Sequence, residues 1–236
     1  MPAAMTPPQE IIRTPGGVYV LKNDTHLSRW IELHGTLEVG IQAISLYAKY
    51  IPKGGTVVDA GACLGDHAAT YAQMVGPEGA VWAFEPYPEA YYALTRNTRM
   101  WPQVETRPFG LSDFQEPAFF VVEDNAGASH ISVPGDRSIM VWVTRLDNFL
   151  EDLTRLDLIH LDCEGFEPRA IMGATETIKK FKPAMVIEIN HACLGRYGMT
   201  QGDVYSLLDS IGYGYTELEP GRGPADAQRD ILCLPK

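Results

Sequence analysis

Thr56-Val57-Val58-Asp59-Ala60-Gly61-Ala62-Cys63-Leu64-Gly65-Asp66 decides how this chain reads, together with the Ala83-Phe84-Glu85-Pro86 that follows it. An apolar run enters an acid, Asp59, and then a loop holding Gly61 and Gly65, after which His67 to Met74 carries a helical pattern. The stretch is therefore a strand, a tight turn and a helix. Glycine at such a turn lets a ligand approach backbone that a Cβ would screen, and the helix N-terminus turns unpaired N–H groups toward it. A second apolar run, Ala80 to Phe84, ends in Glu85, 26 residues after Asp59. That interval is one strand-helix-strand unit, in which the acid closing the second strand reaches ribose hydroxyls of a nucleotide lying across the strand tips.

A dinucleotide-binding turn wants G-x-G-x-x-G. Here Ala62, Cys63 and Leu64 separate the glycines, and Asp59 stands two residues before the first. The missing middle glycine leaves less room for a pyrophosphate, and the acid repels one, which disfavours a nicotinamide-dependent dehydrogenase. The same acid suits a cofactor with a cationic amine, and S-adenosylmethionine has one beside its cationic sulfonium.

The rest of the composition sets bounds. A chain of 236 residues with 45% hydrophobic and 21% charged residues reads as one sizeable globular domain. Its formal net charge of −11 argues against a nucleic-acid backbone as partner and favours a small-molecule substrate. MPAAMTPPQE has neither the basic nor the apolar region of a leader, and no run approaches the ~18 apolar residues of a membrane span, so a cytoplasmic protein with no membrane partner is expected. Cys63, Cys163, Cys193 and Cys233 are scattered without a C-x-x-C, which predicts free thiols.

Taken in order, residues 1–53 read as a loose arm of about ten residues, a short strand at Gly17 to Leu21, and two helices. Asp24 or Thr25 caps the first, through Trp30 to Leu33, and the second runs from Leu37 to Tyr50. Both precede the first core strand and are expected to lie across its top as a partial lid. Trp30, His34 and Glu38 are its candidate substrate contacts, or equally an amphipathic packing face. Residues 54–236 read as the core, the whole forming a single structural domain. A third strand, Val104 to Phe109, ends at Gly110-Leu111-Ser112-Asp113, beside Glu85, where Ser112 and Asp113 can meet an adenine or Asp113 can simply form a turn. Pro117 to Glu123 and Met140 to Val143 pair as strands around an Asp124 to His130 connection whose Asn125, Ser129 and His130 are candidates for substrate specificity. A fourth strand, Leu156 to Leu161, ends in Asp162-Cys163-Glu164-Gly165-Phe166-Glu167. Three carboxylates there must be solvated, paired or used, because unpaired buried charge is costly. A helix at Pro168 to Lys180, a fifth strand at Ala184 to His191, a helix at Gln201 to Ser210 and an antiparallel pair at Tyr213 to Leu218 and Asp230 to Leu234 complete the chain.

With Asp59-Ala60-Gly61-Ala62-Cys63-Leu64-Gly65, Phe84-Glu85-Pro86, Gly110-Leu111-Ser112-Asp113 and Asp162-Cys163-Glu164-Gly165-Phe166-Glu167 in this order, the sequence resembles the FkbM family of S-adenosylmethionine-dependent methyltransferases over about residues 54–191. The resemblance implies the class I methyltransferase fold, an α/β Rossmann-like architecture. Its seven-stranded, mostly parallel sheet has an antiparallel last strand, helices on both faces, and cofactor and substrate at the C-terminal strand edge. It implies O-methylation of sugars, polyketides and other small metabolites. Asp66 departs from the family, many of whose members carry an aromatic residue there. Carried over by position, Asp59, Gly61 and Gly65 surround the methionine end of S-adenosylmethionine, Glu85 its ribose, and Ser112 and Asp113 its adenine, with Ala60, Asp66, Pro86 and Asp162 as further cofactor contacts. Asp162, Glu188, Asn190 and His191 face the methyl group.

A neutral hydroxyl is a poor nucleophile, so transfer to it needs a base or a metal. His191 is a candidate base, with Asp162 and Glu164 as further candidates for assisting deprotonation. Asp162 with Glu188 or Asn190 is a candidate Mg²⁺ site. The rival readings are N-methylation of a protein or small amine and a cofactor-binding scaffold without activity. A monomer or a homodimer is expected.

Overall fold

The structure, a computed structural model, describes residues 10–37, 41–135, 137–218 and 228–236. The expected loose arm and Glu38 lie outside them. Strands β1 (Ile11–Arg13) and β2 (Tyr19–Leu21) pair antiparallel and lead into α1 (Leu27–His34) and α2 (Ile41–Ser45). The core begins with β3 (Thr56–Ala60), α3 (Asp66–Val75), β4 (Ala80–Phe84), α4 (Pro88–Thr98) and β5 (Val104–Arg107). Then come β6 (Gly110–Leu111), β7 (Glu116–Val121), β8 (His130–Ser132) and β9 (Ser138–Thr144), a separate small sheet in the order β6-β9-β7-β8. The chain closes with β10 (Leu158–Leu161), α5 (Glu167–Met172), α6 (Thr175–Phe181), β11 (Ala184–Ile189), α7 (His191–Gly195), α8 (Gln201–Ser210), β12 (Tyr213–Glu217) and β13 (Arg229–Pro235).

The central sheet has seven strands in the order β12-β13-β11-β10-β3-β4-β5, and only the last in sequence, β13, runs antiparallel to its neighbours. Strand order reverses between β3 and β10, which opens the crevice at their C-terminal ends where such sheets bind ligands. Alternation along the strands fills two cores. Val57, Val81, Leu158 and Val186 face one side, against Tyr71 of α3 and Leu94 of α4. Val58, Phe84, Ile159, Leu161 and Ile187 face the other, against Ile171 of α5, Ile178 of α6 and Leu208 of α8. A third cluster joins Leu21 and Ile31 to Leu64, Ala93, Phe120 and Val141, seating the N-terminal segment on α4 and the small sheet.

Several expectations are corrected here. Among the described residues, the helix expected over Leu37 to Tyr50 is interrupted after Ser45: α2 covers Ile41–Ser45 and a 3-10 turn follows at Ala48–Tyr50. Tyr47 between them turns inward, is buried, and exchanges a 2.9 Å hydrogen bond with the Tyr71 hydroxyl, so this segment packs against the core and is not a lid. The helix expected over Pro168 to Lys180 is split at Gly173, where a Cβ would stand 1.7 Å from the Ser112 carbonyl oxygen. The connection from Asp124 to His130 is a 3-10 turn at Ala126–Ala128 and the start of β8. All four cysteines are free, as expected. Among the described residues no helix is long and apolar enough to cross a membrane.

Candidate active site

A cavity of about 290 Å³ opens at the C-terminal ends of β3, β4, β10 and β11. Its floor is the glycine turn. Gly61, at φ +86°, lies so close to the tip of β10 that a Cβ would stand 1.8 Å from the Asp162 carbonyl oxygen. Cys63 takes a left-handed backbone, φ 45°, without being glycine, and so does Glu164 across the cavity at φ 55°. Two such residues facing one cavity are the kind of strain that functional loops retain. The Gly61 and Ala62 N–H groups donate to the Phe84 carbonyl, and the Cys63 N–H donates at 2.9 Å to Glu85. The other Glu85 oxygen accepts the Tyr87 N–H at 2.8 Å. Burial pushes Glu85 up to about 7, against these two hydrogen bonds, which pull it down.

The wall opposite is acidic. Asp162 follows β10 and Glu188 lies in β11; the parallel register that sets Leu161 beside Ile187 sets Asp162 beside Glu188. Glu164 completes a group in which one carboxylate oxygen from each of the three residues lies within 4.8 Å of the other two. Burial raises all three above the ordinary carboxylate range, and repulsion from neighbouring acids adds to it for Asp162 and Glu188, though His160 and His67 partly offset this for Asp162 and Cys193 and Arg196 do so for Glu164. One Glu188 oxygen accepts from Gln228; Oε2 is buried with no hydrogen-bond partner among the described residues. Glu164 Oε2 accepts from the Cys193 thiol at 3.0 Å, with the Arg196 guanidinium at 3.7 Å. Glu167, expected to be solvated, paired or used, is instead 1% exposed and holds the loop together, one oxygen accepting the Cys163 and Gly165 N–H groups at 2.8 and 3.1 Å. Burial pushes it up to about 8.

The rim comes from the two segments outside the strand-helix repeat. Asp24 is buried; its carboxylate accepts the N–H groups of Ser28 at 2.6 Å and His26 at 3.2 Å, and that of Ala126 at 2.9 Å from the far segment. The clasp brings His26 and Leu27 over the cavity beside Asn125, Ala126 and Gly127. His130 lines the same rim. Its Nδ1 lies 3.0 Å from the Ala128 carbonyl, which can only accept, so Nδ1 carries the proton and Nε2 is left as the acceptor. Desolvation holds His130 below its ordinary value, against the pull of that hydrogen bond.

Of the residues proposed from sequence, Gly61, Asp66, Glu85, Pro86, Asn125, Ser129, His130, Asp162, Glu164 and Glu188 line the cavity. The others are placed elsewhere. Asp59 shares the face of Val57, and its Oδ1 meets His160 Nδ1 at 2.8 Å beneath α3. Burial alone would lower His160, but the Asp59 carboxylate overrides it and the imidazole is held above its ordinary value. Ala60 is fully buried in β3, and Gly65, at φ 92°, is the N-cap of α3. Ser112 is buried, and Asp113 accepts from the Arg169 guanidinium with both oxygens at 3.0 and 3.2 Å; Gly110 and Leu111 take the cavity position expected of them. His191 is exposed as the first residue of α7, and Asn190 caps that helix by accepting the Cys193 N–H at 3.3 Å. Trp30 and His34 stack on each other at 4.1 Å, one turn apart on α1 and away from the cavity. Sequence reasoning passed over His67, which lines the cavity and packs edge-on to His160 at 4.7 Å. The available signal was a histidine in the first turn after the glycine loop, with a second inside the apolar run of β10.

Residues 59–215 match the model of the methyltransferase FkbM domain. The chain belongs to the FkbM methyltransferase family. A solved FkbM methyltransferase from Methylobacillus flagellatus KT is 18% identical and superposes with a TM-score of 0.53 over 77% of this chain and 44% of its own, so this chain spans less than half of that relative's length. An S-adenosylmethionine-dependent O-methyltransferase from Thermotoga maritima is 16% identical, with a TM-score of 0.51 over 97% of this chain and 78% of its own. A fibrillarin from Aeropyrum pernix with natively bound S-adenosyl-L-methionine is 12% identical, with a TM-score of 0.51 over 96% and 82%. At these identities the likeness is one of fold: the seven-stranded Rossmann-like α/β architecture of the methyltransferases. No curated protein matches the sequence.

Proposed function

We propose that this chain is an S-adenosylmethionine-dependent methyltransferase that methylates a hydroxyl of a small polar metabolite, sugars included. The observation that carries the reading is the convergence, at one cavity, of the glycine turn of the family motif, Glu85, and the acidic tips of β10 and β11. The donor set fits the cofactor. A buried carboxylate at the end of β4 is an acceptor for ribose hydroxyls, Pro86, Leu111 and Ile131 offer apolar surface for a base, and Asp66 with the Gly61 turn offers negative charge to an amine. Gly110 lines the same surface, where a Cβ would stand 3.5 Å from Ile131 and 3.6 Å from Pro86.

When bound, the cofactor supplies a methyl carbon on a sulfonium, to which the acceptor oxygen bonds as the carbon–sulfur bond breaks with its electron pair kept on sulfur. The chain's own residues must then hold the acceptor in line and take its proton. His130 replaces the exposed His191 as the imidazole placed to do so: it is uncharged near neutral pH, and Nε2 is its free acceptor. Asp162 and Glu164 stand on the opposite wall. Asn125 and Ser129, on the rim beside His130, are placed to select the acceptor. An acid-walled cavity in a chain of net charge −11 disfavours a phosphodiester substrate and supports a small one.

Calorimetric titration with S-adenosylhomocysteine, with NAD as control, tests the cofactor class: binding of the first alone is expected. Transfer of a ¹³C-methyl group to a panel of hydroxylated and amino acceptors then tests the atom methylated. A product whose methyl carbon shift is that of an N-methyl group would overturn the O-methylation reading.

A further inference from the structure

Three carboxylates of the cavity are arranged in a way that the binding of a methyl donor and an alcohol does not require. The antiparallel register of β11 with β13 sets Glu188 beside Asp230, and the parallel register with β10 sets it beside Asp162. Acids thus stand side by side across three adjacent strand ends, and Glu164 reaches the same point from the turn after β10. Like charges directly opposite on neighbouring strands destabilise a sheet. Of the basic groups near these three acids, the Arg196 guanidinium lies 3.7 Å from Glu164, His160 is hydrogen-bonded to Asp59, and His67 acts on Asp162 through space.

Glu188 supplies an independent observation. It is 3% exposed, and its Oε2 has no hydrogen-bond partner among the described residues. A buried, unsatisfied carboxylate oxygen costs the full desolvation of that atom unless a ligand meets it. The Asp162 carboxylate likewise accepts no hydrogen bond among the described residues, and it borders the cavity.

We propose that Asp162, Glu164 and Glu188 form the binding site of one divalent, oxygen-preferring cation such as Mg²⁺. Hard cations are held by carboxylate oxygens and water, and metal–oxygen distances of ~2.1 Å place ligand oxygens roughly 3 to 4 Å apart, within reach of a group already gathered inside 4.8 Å. The site differs from the one the sequence suggested. Glu164 replaces Asn190, whose side chain is committed to capping α7. The inference rests on the methyltransferase reading only for its service: a cation here would lower the pKa of an acceptor hydroxyl that it binds, so that His130 Nε2 could take the proton before or during transfer.

The test is uptake of Mn²⁺ by the chelator-treated full chain, read from the loss of the free-ion EPR signal, with S-adenosylhomocysteine binding measured in parallel. One Mn²⁺ per chain is expected, displaced by excess Mg²⁺ and weakened at least tenfold by Asp162→Asn and by Glu188→Gln; Asn190→Ala should change the affinity less than twofold. Glu188→Gln should also melt higher than the parent without metal, since it relieves the repulsion, which separates loss of a ligand from loss of fold. Absence of Mn²⁺ uptake while S-adenosylhomocysteine binds would overturn the cation site and leave the methyltransferase reading intact. Uptake untouched by both acid variants would overturn the residue assignment. Uptake without S-adenosylhomocysteine binding would uphold the site and sink the cofactor reading.

Discussion

Glu85 shows how one side chain is divided between fold and function. Its two oxygens accept the Cys63 and Tyr87 N–H groups, and burial moves its titration up to about 7. Ribose hydroxyls donate best to the ionised carboxylate, so binding draws a proton off Glu85. Affinity for S-adenosylhomocysteine is then expected to rise with pH, by up to about tenfold per unit below 7, and to level off above it. Glu85→Gln should bind roughly 10- to 100-fold more weakly, as loss of a charged acceptor implies, with a flat profile; a pH-independent affinity in the unsubstituted protein would remove Glu85 from the ribose. Gly61 is the other residue with no substitute. Gly61→Ala places a methyl against the Asp162 carbonyl at a positive φ, and a loss of at least about 3 kcal/mol in urea unfolding is expected. Gly61, Glu85 and Asp162 were legible because motif spacing alone carries them to strand tips. Asp59 was not, because strand alternation turns it beneath α3, and only the pairing of β3 with β10 reveals His160 as its partner. His191 and Asn190 were misjudged for a related reason: the chain enters α7 at the end of β11, so one becomes an exposed helical residue and the other its cap.

At the scale of elements, the motif-bearing strands were read nearly to the residue, while the segments that cover them were not. Local periodicity specifies β3, β4, β10 and β11, whereas a covering segment takes its shape from what lies beneath it. Tyr47 turned inward to Tyr71 ends α2, and Gly173 against Ser112 divides α5 from α6. The rim depends on Asp24, foreseen only as a helix cap, which also grips Ala126 about a hundred residues on. Asp24→Ala strips an acceptor from three N–H groups at once and should lower stability by on the order of 2 kcal/mol in urea melts. The damage should concentrate at the clasp. Faster amide exchange at Ala126 and Ser28, with a raised S-adenosylhomocysteine off-rate, is expected; exchange unchanged at these two amides would deny that Asp24 closes the rim.

Across the whole molecule, the cavity gathers so many buried acids that the pH dependence of folding should run against the usual direction. Burial, the largest influence on each, raises Asp66, Glu85, Asp162, Glu164, Glu167 and Glu188 above their ordinary values, with Glu85 near 7 and Glu167 near 8. Between about pH 4.5 and 8 the folded chain therefore binds more protons than the unfolded one, and stability falls as pH rises, by up to ~1.4 kcal/mol per unit for each such group. His160, raised by Asp59, acts with the same sign: its contribution is complete below its ordinary value and is lost as pH climbs through the folded one. The exposed Asp203 and Asp209 are lowered by hydrogen bonds to Thr200 and Lys236, and they lose their contribution only in stronger acid, below this window. His130, lowered by desolvation, opposes the trend, but as one group against several. The metal-free, cofactor-free protein is thus expected to melt higher at pH 5.5 than at pH 8.5 by circular dichroism. Glu167→Gln isolates a single part of this. The Cys163 and Gly165 N–H groups both donate to the same oxygen, which an amide retains, so the variant keeps both bonds and loses the ionisation. It should match the parent near pH 4.5 and exceed it above pH 8; a parent whose melting point climbs steadily from pH 5.5 to 8.5 would show that these acids ionise freely in the folded chain.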